Sequence, residues 1–189
     1  MPNLLKSFLI VFLLSISGFS YAALPAWEMI PKKSMLTFTG IQNNAPITGD
    51  FKKFTCDINF DPQQLAKSNV HIIVRMNSIS LSFRDLMTVL FSGDWLDVNK
   101  YPEAIFDAKS FTQLSPNHFQ ARGTLTIKNK AMPVNLRFAT REMEDGTVMA
   151  RGGTTIKRTA FGIGQGEWAE TDAVKDDVKV EFMIIANRK

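Results

Sequence analysis

Hydrophobic and polar residues alternate with a period of two along most of the chain after residue 34, which is the pattern of half-buried β-strands. Proline cannot donate to a strand ladder, so Asp61-Pro62 ends one of these stretches. The pattern predicts about eight strands, near residues 34–42, 54–60, 70–76, 105–111, 118–127, 132–138, 148–156 and 178–186. The chain is therefore predicted to be all-β.

One segment, residues 83–92, breaks this alternation. Leu86, Val89 and Leu90 recur there at the spacing of a helix face. Ser82 is predicted as the N-cap of this short helix and Gly93 as its end. Neither an internal repeat nor an interdomain linker is visible in the sequence, which indicates a single domain after the N-terminal segment.

Antiparallel strands that each carry one apolar face form either a sandwich or a closed barrel. A barrel is favoured because closure removes exposed sheet edges, and the single cysteine, Cys56, cannot form an intramolecular disulfide. The inward faces mix small residues such as Gly40 and Gly123 with large ones such as Phe38 and Phe182. Alternation alone leaves open whether the interior holds a ligand or is filled by side chains.

The N-terminal segment has the features of a secretory signal. A positively charged start precedes an apolar stretch over residues 7–19, and the small residues Ser20 and Ala22 occupy the −3 and −1 positions of a cleavage site. The apolar stretch is shorter than the roughly 20 residues that span a bilayer. We expect residues 1–22 to be a cleaved signal peptide and residues 23–189 to be a periplasmic domain, with a signal anchor as the alternative.

Residues that carry chemistry are scarce. His71 and His118 are interpreted as surface residues, and no sequence motif of a hydrolase, metalloprotease or calcium loop is present. The glycine run at 162–166 is interpreted as a tight bend requiring positive φ, and Cys56 as an inert inward thiol. The net charge of +4 forms no basic run, and no nucleic-acid motif accompanies it. The sequence predicts no catalytic site, no metal site and no nucleic-acid partner.

Aromatic composition favours apolar surface. The chain has 15 Phe and 3 Trp against only 2 Tyr, and phenylalanine carries no polar group. A phenylalanine-rich core and a tunnel for a long apolar molecule would have the same composition.

Motifs along almost the whole chain resemble those of the YceI-like family, in the expected order. In sequence they are SMLTF at 34–38 with Gln42, GDFKKF at 49–54, DWLD at 94–97, YPEA at 101–104, GTLTI at 123–127, Pro133-Val134, and RTAFGIG at 158–164 followed by Trp168. The resemblance implies an eight-stranded antiparallel lipocalin-like barrel with one short helix and an elongated apolar cavity for a polyisoprenoid or isoprenoid quinone.

The function implied by this resemblance is non-catalytic binding, storage or transport of such a lipid in the periplasm, with transient membrane contact. The lipid would be cargo, and no cofactor is expected. Some relatives are encoded with or fused to membrane b-type cytochromes. The alternative is therefore an interaction module that serves such a cytochrome without obligatory lipid. A homodimer is expected only from the general frequency of C2 dimers.

The residues predicted to contact the lipid are inward-facing or belong to the family motifs. They are Leu36, Phe38, Phe54, Ile58, Phe60, Ile72, Val74, Leu90, Phe91, Trp95, Phe106, Leu125, Leu136, Phe138, Phe161, Ile163, Trp168 and Phe182. Candidates for contact with a polar head group are Lys52, Lys53, Lys157 and Arg158. Ordinary surface charge is the alternative for each of these four.

The chain departs from the family pattern in two places. Gln42 stands where many relatives have a histidine, so a role of that histidine does not transfer. Leu86 and Met87 stand where relatives have an Arg-Asp pair, which makes the stretch 86–91 unusually apolar. We hypothesise that this stretch lines the cavity mouth or touches the membrane during ligand exchange. The alternative is a helix that plugs one end of the barrel as core.

Overall fold

The structure is a computed structural model that describes residues 24–189; the predicted signal peptide over residues 1–22 lies outside the described residues. Eleven strands form one sheet. They are β1 (Ala26–Met29), β2 (Met35–Gln42), β3 (Ala45–Phe51), β4 (Phe54–Asn59), β5 (Asn69–Arg75), β6 (Ile79–Leu81), β7 (Glu103–Ser115), β8 (His118–Ile127), β9 (Lys130–Glu142), β10 (Val148–Lys157) and β11 (Asp177–Arg188). An α-helix, α1 (Arg84–Phe91), follows β6.

The sheet closes on itself as an antiparallel barrel of eight strands, as predicted. The ring runs β1-β4-β5-β7-β8-β9-β10-β11 and returns to β1, which pairs with both β4 and β11. Each of the eight strands in this ring is paired on both sides, so the ring itself has no open edge.

Three of the eight positions around the barrel are each filled by two consecutive strands with a short break between them. A 3-10 turn at Pro31–Lys33 separates β1 from β2, and another at Met76–Ser78 separates β5 from β6. Lys52 and Lys53 separate β3 from β4, and their backbone N–H groups donate to the carbonyl and hydroxyl oxygens of Ser78 at 3.0 Å. Two adjacent breaks therefore satisfy each other's backbone groups.

The alternation did not reveal the strands β1, β3 and β6. β1 and β6 are short, at four and three residues. Pro46 and Gly49, both uncommon inside strands, obscure the pattern of β3. β3 nevertheless forms because it pairs with β2 on one side and β6 on the other. Tertiary pairing thus overrides weak local preference.

The helix ends where predicted but starts differently. Phe83, not Ser82, occupies the cap position of α1, and no side chain caps the helix. The prediction of Ser82 as N-cap is therefore wrong. The last turn closes with the Ser92 N–H donating to the Val89 carbonyl, before Gly93. Packing of its apolar face, rather than a cap, determines where such a short helix begins.

Two tight turns connect strands in the second half of the chain. Lys128 and Asn129, with φ of 49° and 58°, connect β8 to β9. Both central residues of a two-residue hairpin of this kind need positive φ, which asparagine tolerates. Gly146, with φ of 78°, lies in the turn before β10. These turns hold β8, β9 and β10 as consecutive antiparallel neighbours.

Candidate functional site

The barrel encloses an apolar cavity of about 350 Å³. This lies within the range of roughly 300–1,000 Å³ that is typical of small-molecule sites. Its wall is formed by inward side chains of the strands from β2 to β11, by α1 and by the segment 158–176. The interior is therefore only partly filled by side chains, which resolves the alternative that alternation left open.

The cavity brings together nearly all of the residues predicted to contact a lipid. Those at its border are Leu36, Phe38, Phe54, Ile58, Phe60, Ile72, Val74, Leu90, Trp95, Phe106, Leu125, Leu136, Phe138, Ile163, Trp168 and Phe182. Their contact with a ligand remains a prediction.

Phe91 and Phe161 lie elsewhere. Phe161 is only 2% exposed and belongs to the packed core beneath the segment 158–176, and Phe91 packs against the same core. Leu86, Val89 and Leu90 occupy the helix face that borders the cavity, and the next residue, Phe91, points off that face. Phe91 and Phe161 are therefore not part of the cavity lining, and their predicted contact with a ligand remains a prediction.

Several lining residues were not predicted, because the strands that carry them were not predicted. Ile47 and Phe51 come from β3, and Ile79 and Leu81 from β6. The alternation of Ile47, Gly49 and Phe51 was the available signal.

Glycines shape the interior in two different ways. A Cβ added to Gly40, which borders the cavity, would meet nothing within 4 Å. A Cβ added to Gly123 would instead fall 2.6 Å from the Phe106 ring, which fills the space that this glycine leaves. Gly40 therefore contributes open volume, whereas Gly123 allows a large side chain to pack closely.

One end of the barrel, which we call the phenylalanine end, is closed by aromatic packing. Phe60 packs against Phe111, Phe119 and Phe138 with ring centroids 5.5, 5.1 and 5.6 Å apart. Phe119 is 1% exposed. Edge-to-face and tilted contacts at these distances are the favourable geometries for aromatic rings.

The opposite end, which we call the helix end, is covered by α1 and the segment 158–176. Leu86, Val89 and Leu90 of α1 border the cavity, and Val89 is 37% exposed. The helix therefore contacts both the interior and the solvent. This position is compatible with either a gate or a plug.

Arg158 organises the helix end and is not a surface charge, which makes that alternative wrong for this residue. It is 1% exposed. Its guanidinium donates to six backbone carbonyls at 2.9–3.3 Å, those of Ile163, Gly164, Trp168, Glu170, Val174 and Lys175. We call this arrangement the Arg158 cluster.

The glycine run makes the Arg158 cluster possible. Gly162, Gly164 and Gly166 have φ of 68°, 74° and 61°, so the predicted bend is confirmed. A Cβ on Gly164 would collide with the Arg158 side chain, so only glycine allows this close approach. The loop thus curls around the guanidinium and presents its carbonyl oxygens to it.

The positive charge of Arg158 is countered by one acidic side chain, that of Asp176. Burial lowers the pKa of Arg158, and the negative charge of Asp176 opposes that shift. Burial raises the pKa of Asp176, but hydrogen bonds from the Thr159 N–H and hydroxyl, together with the positive charges of Lys157 and Arg158, lower it overall. Asp176 is therefore charged at neutral pH.

Lys128 connects the segment after α1 to the Arg158 cluster. Its ammonium donates to the carbonyls of Gly93, Trp95 and Gly162 at 3.0, 2.6 and 3.1 Å. The Trp95 ring meets the Trp168 ring with centroids 5.7 Å apart. The two segments that cover the helix end are thereby fixed to each other.

The other basic candidates lie outside the cavity. Lys52 and Lys53 line an outer groove at the break between β3 and β4, and Leu36, Phe51 and Phe54 border both this groove and the cavity. The Lys52 ammonium pairs with Asp50 at 2.5 Å, and that of Lys157 pairs with Asp177 at 2.7 Å. As exposed ion pairs, they fit the interpretation of ordinary surface charge.

Among residues 24–189, few polar side chains border the cavity and none of them is acidic. They belong to Gln42, Cys56, Thr154, Arg158 and Lys175, apart from the two tryptophan N–H groups. Burial, and secondarily the charge of Asp57, raises the pKa of Cys56 to about 12, so its thiol is neutral and unreactive at pH 7. The described side chains at the cavity border therefore include positive charges but no negative one.

Catalytic geometry is sparse in the described part of the chain. His71 Nδ1 lies 2.6 Å from a carboxylate oxygen of Asp107, which the sequence did not anticipate, but the pair is on the partly exposed outer face. Within residues 24–189, no cluster of histidine, cysteine and acidic residues could hold a metal ion. The same residues contain no helix long and apolar enough to cross a membrane.

The fold and cavity define a closed lipocalin-like β-barrel with an apolar interior. The sequence profile of the YceI-like domain matches residues 27–186, and the chain belongs to that family. A UPF0312 protein of Vibrio campbellii is 28% identical over 90 residues, and the match spans about half of each chain, 48%. A UPF0312 protein of Pseudomonas putida is 27% identical over 140 residues, covering 71% of this chain and 72% of its own.

Solved structures share the fold. BcnA of Burkholderia cenocepacia superposes with a TM-score of 0.81 at 31% identity, covering 85% of this chain and 100% of BcnA. A polyisoprenoid binding domain from Saccharophagus degradans superposes with a TM-score of 0.69 over 87% of this chain and 99% of its own. That domain is only 11% identical, so its likeness concerns the fold.

Proposed function

We propose that the protein binds, stores or carries a long apolar lipid, a polyisoprenoid or isoprenoid quinone, in the periplasm and does not chemically change it. The observation that carries this proposal is the apolar cavity inside the closed barrel, bordered on nearly all sides by hydrophobic residues. The Saccharophagus degradans domain of the same fold is described as polyisoprenoid binding. The predicted signal peptide supports the periplasmic location.

Burial of the lipid chain would supply the affinity. Each CH₂ group removed from water contributes about 0.8 kcal/mol, so a long prenyl chain gains enough to offset the cost of ordering it. This gain depends on apolar area and does not distinguish one head group from another. Discrimination between head groups therefore has to come from the polar groups at the helix end.

The direct test is native mass spectrometry of the protein purified from its own periplasm, followed by solvent extraction. A stoichiometric prenyl lipid is the expected result. An empty barrel that takes up nothing from quinone-loaded vesicles would overturn the proposal. That outcome would favour the alternative of an interaction module for a membrane b-type cytochrome.

A substitution can occupy the cavity without disturbing the wall. Gly40→Leu points into open space, and the strand position is free of positive φ, so the variant should fold normally. The bound lipid per protein should fall at least about fivefold, because a leucine takes volume that the chain needs. Gly93→Leu, where a Cβ also meets nothing within 4 Å but lies outside the cavity, is the matched control. Normal lipid content in Gly40→Leu would show that the lipid does not occupy the cavity.

A further inference from the structure

The indole N–H of Trp95 is buried and has no hydrogen-bond partner among the described residues. An unsatisfied buried donor is costly, and native proteins leave few of them. The Trp95 ring borders the cavity. An unpartnered donor at the wall of a candidate binding site indicates a hydrogen bond that the ligand completes.

The ring of Trp95 is held in place by its surroundings. Its backbone N–H donates to the Ser92 carbonyl at 3.1 Å, and its carbonyl accepts from Lys128 at 2.6 Å. The Trp168 ring lies 5.7 Å from it on one side, and the Arg158 guanidinium lies 5.6 Å from its centroid. The ring is therefore held at the helix end. Because its Nε1 is buried, a small turn of the ring towards the cavity is needed before the N–H can meet a ligand oxygen.

Neighbouring groups of the protein do not supply the missing acceptor. An indole N–H only donates, and so do the two cationic side chains next to it, Arg158 and Lys128. Both cations are already engaged with backbone carbonyls. Because the Trp95 ring borders the cavity, a ligand there can supply the missing acceptor.

The charge of that oxygen follows from the number of free donors. A phosphate needs several donors when it leaves water, and the Arg158 guanidinium is committed to six carbonyls. Lys175, the other cationic side chain at the cavity border, is exposed to solvent. A single indole N–H satisfies a single neutral oxygen. Cationic head groups are disfavoured as well, because no acidic residue of the described chain borders the cavity.

We propose that the cavity selects a lipid with an uncharged head group whose carbonyl, hydroxyl or ether oxygen accepts a hydrogen bond from Trp95 Nε1. The head group then lies at the helix end, and the tail runs towards the phenylalanine end. This inference rests on the proposed lipid-binding function and adds the class and orientation of the ligand.

Three probes with the same 15-carbon chain test the proposal: farnesene, farnesol and farnesyl phosphate. Delipidated full-length mature protein labelled with ¹⁵N at the indole nitrogens reports each tryptophan N–H separately. Farnesol should move the Trp95 indole proton downfield, whereas farnesene should bind without that downfield shift. The resonance of Trp27, whose Nε1 donates to the Phe60 carbonyl at 2.9 Å, is the internal reference.

Trp95→Phe provides the second measurement. Loss of the N–H should lower the affinity for farnesol about fivefold and leave that for farnesene unchanged, because only farnesol loses a hydrogen bond. A purely structural role of Trp95 would lower both affinities together. Trp27→Phe, which removes an indole outside the cavity lining, should leave the ratio of the two affinities unchanged.

The outcomes separate this inference from the function on which it rests. Farnesol that binds without shifting the Trp95 resonance would overturn the inference alone, and would assign the indole to a water molecule. Tighter binding of farnesyl phosphate than of farnesol would overturn the neutral head group. If none of the three probes binds, the proposed lipid-binding function falls as well.

Discussion

The two ends of the barrel are closed by different kinds of interaction. The phenylalanine end is closed by apolar packing of aromatic rings around Phe60 and Phe119. The helix end is closed by one buried cation that holds six backbone carbonyls in fixed directions. Apolar packing loses stability in proportion to the atoms removed, whereas a network of directed hydrogen bonds around one charge fails when its centre is removed.

The same difference suggests that the phenylalanine end stays closed, whereas the helix end can open. Rings at the phenylalanine end are buried together and have no polar group to satisfy elsewhere. At the helix end, α1 is short, lacks a side-chain cap and keeps Val89 partly exposed. Elements with few buried apolar contacts are the ones that open at low cost. We therefore expect ligand exchange at the helix end.

The largest effect is expected from removing the centre of the Arg158 cluster. Arg158→Met leaves six carbonyls without their donor, and each unsatisfied buried group costs about 1–3 kcal/mol. We expect the free energy of unfolding, measured in urea, to fall by at least about 4 kcal/mol. The adjacent Lys157→Met removes an exposed ion pair and should change stability little. Equal losses in the two variants would contradict the role assigned to Arg158.

A smaller loss of stability is expected at the phenylalanine end. Phe119→Ala removes a ring that is 1% exposed and should cost about 3–4 kcal/mol of unfolding free energy, from lost burial and the space left behind. The same urea titration on Leu114→Ala, which truncates a side chain that is 52% exposed, is the control. The ratio of farnesol to farnesene affinity should remain unchanged in Phe119→Ala. A changed ratio would place the head group at the wrong end.

Substitutions at two neighbouring residues distinguish the gate interpretation of α1 from the plug interpretation. Leu90→Ser alters the cavity border, so it should slow lipid transfer from vesicles several-fold while costing about 1–2 kcal/mol. Phe91→Ser alters the packed core, so it should cost more stability, and its folded fraction should transfer lipid normally. Normal transfer by the folded fraction of Leu90→Ser would favour the plug.

The smallest effect is the alkaline titration of Cys56 in the middle of the barrel. Because burial raises the pKa of its thiol from 9.0 to about 12, the folded state keeps a proton that the unfolded state releases. Stability from this group is complete below pH 9 and is lost progressively towards pH 12. At pH 10 the loss should be about 1 kcal/mol. Unfolding of Cys56→Ala, followed beside the native protein from pH 8 to 10.5, should lack this component.

The regular half of the barrel was readable from the sequence because local pattern and tertiary pairing agree there. β8, β9, β10 and β11 are long, and their alternating residues face the same interior. β3 was not predicted, because Pro46 and Gly49 weaken its alternation. It is a strand because it pairs with β2 and β6. The cavity residues on β3 were lost with it.

The Arg158 cluster could not be predicted, although its parts were visible. The motif from Arg158 to Gly164 was recognised, and its glycines were interpreted correctly as a bend. An arginine is ordinarily exposed, and nothing in the local sequence indicates that a loop closes around this one. Knowing that both Phe91 and Phe161 turn into the core likewise required the packing of two segments distant in sequence.

The sequence by itself determined the all-β class, the family, the number of strands around the barrel and most of the apolar wall. These follow from period-two alternation, turn residues and ordered motifs, which are local properties of the chain. The tertiary structure decided that the interior stays open, that Arg158 is buried, and that the Trp95 N–H is left without a partner. These depend on which distant groups meet, and hydrogen-bond satisfaction and residual volume exist only once the barrel has closed.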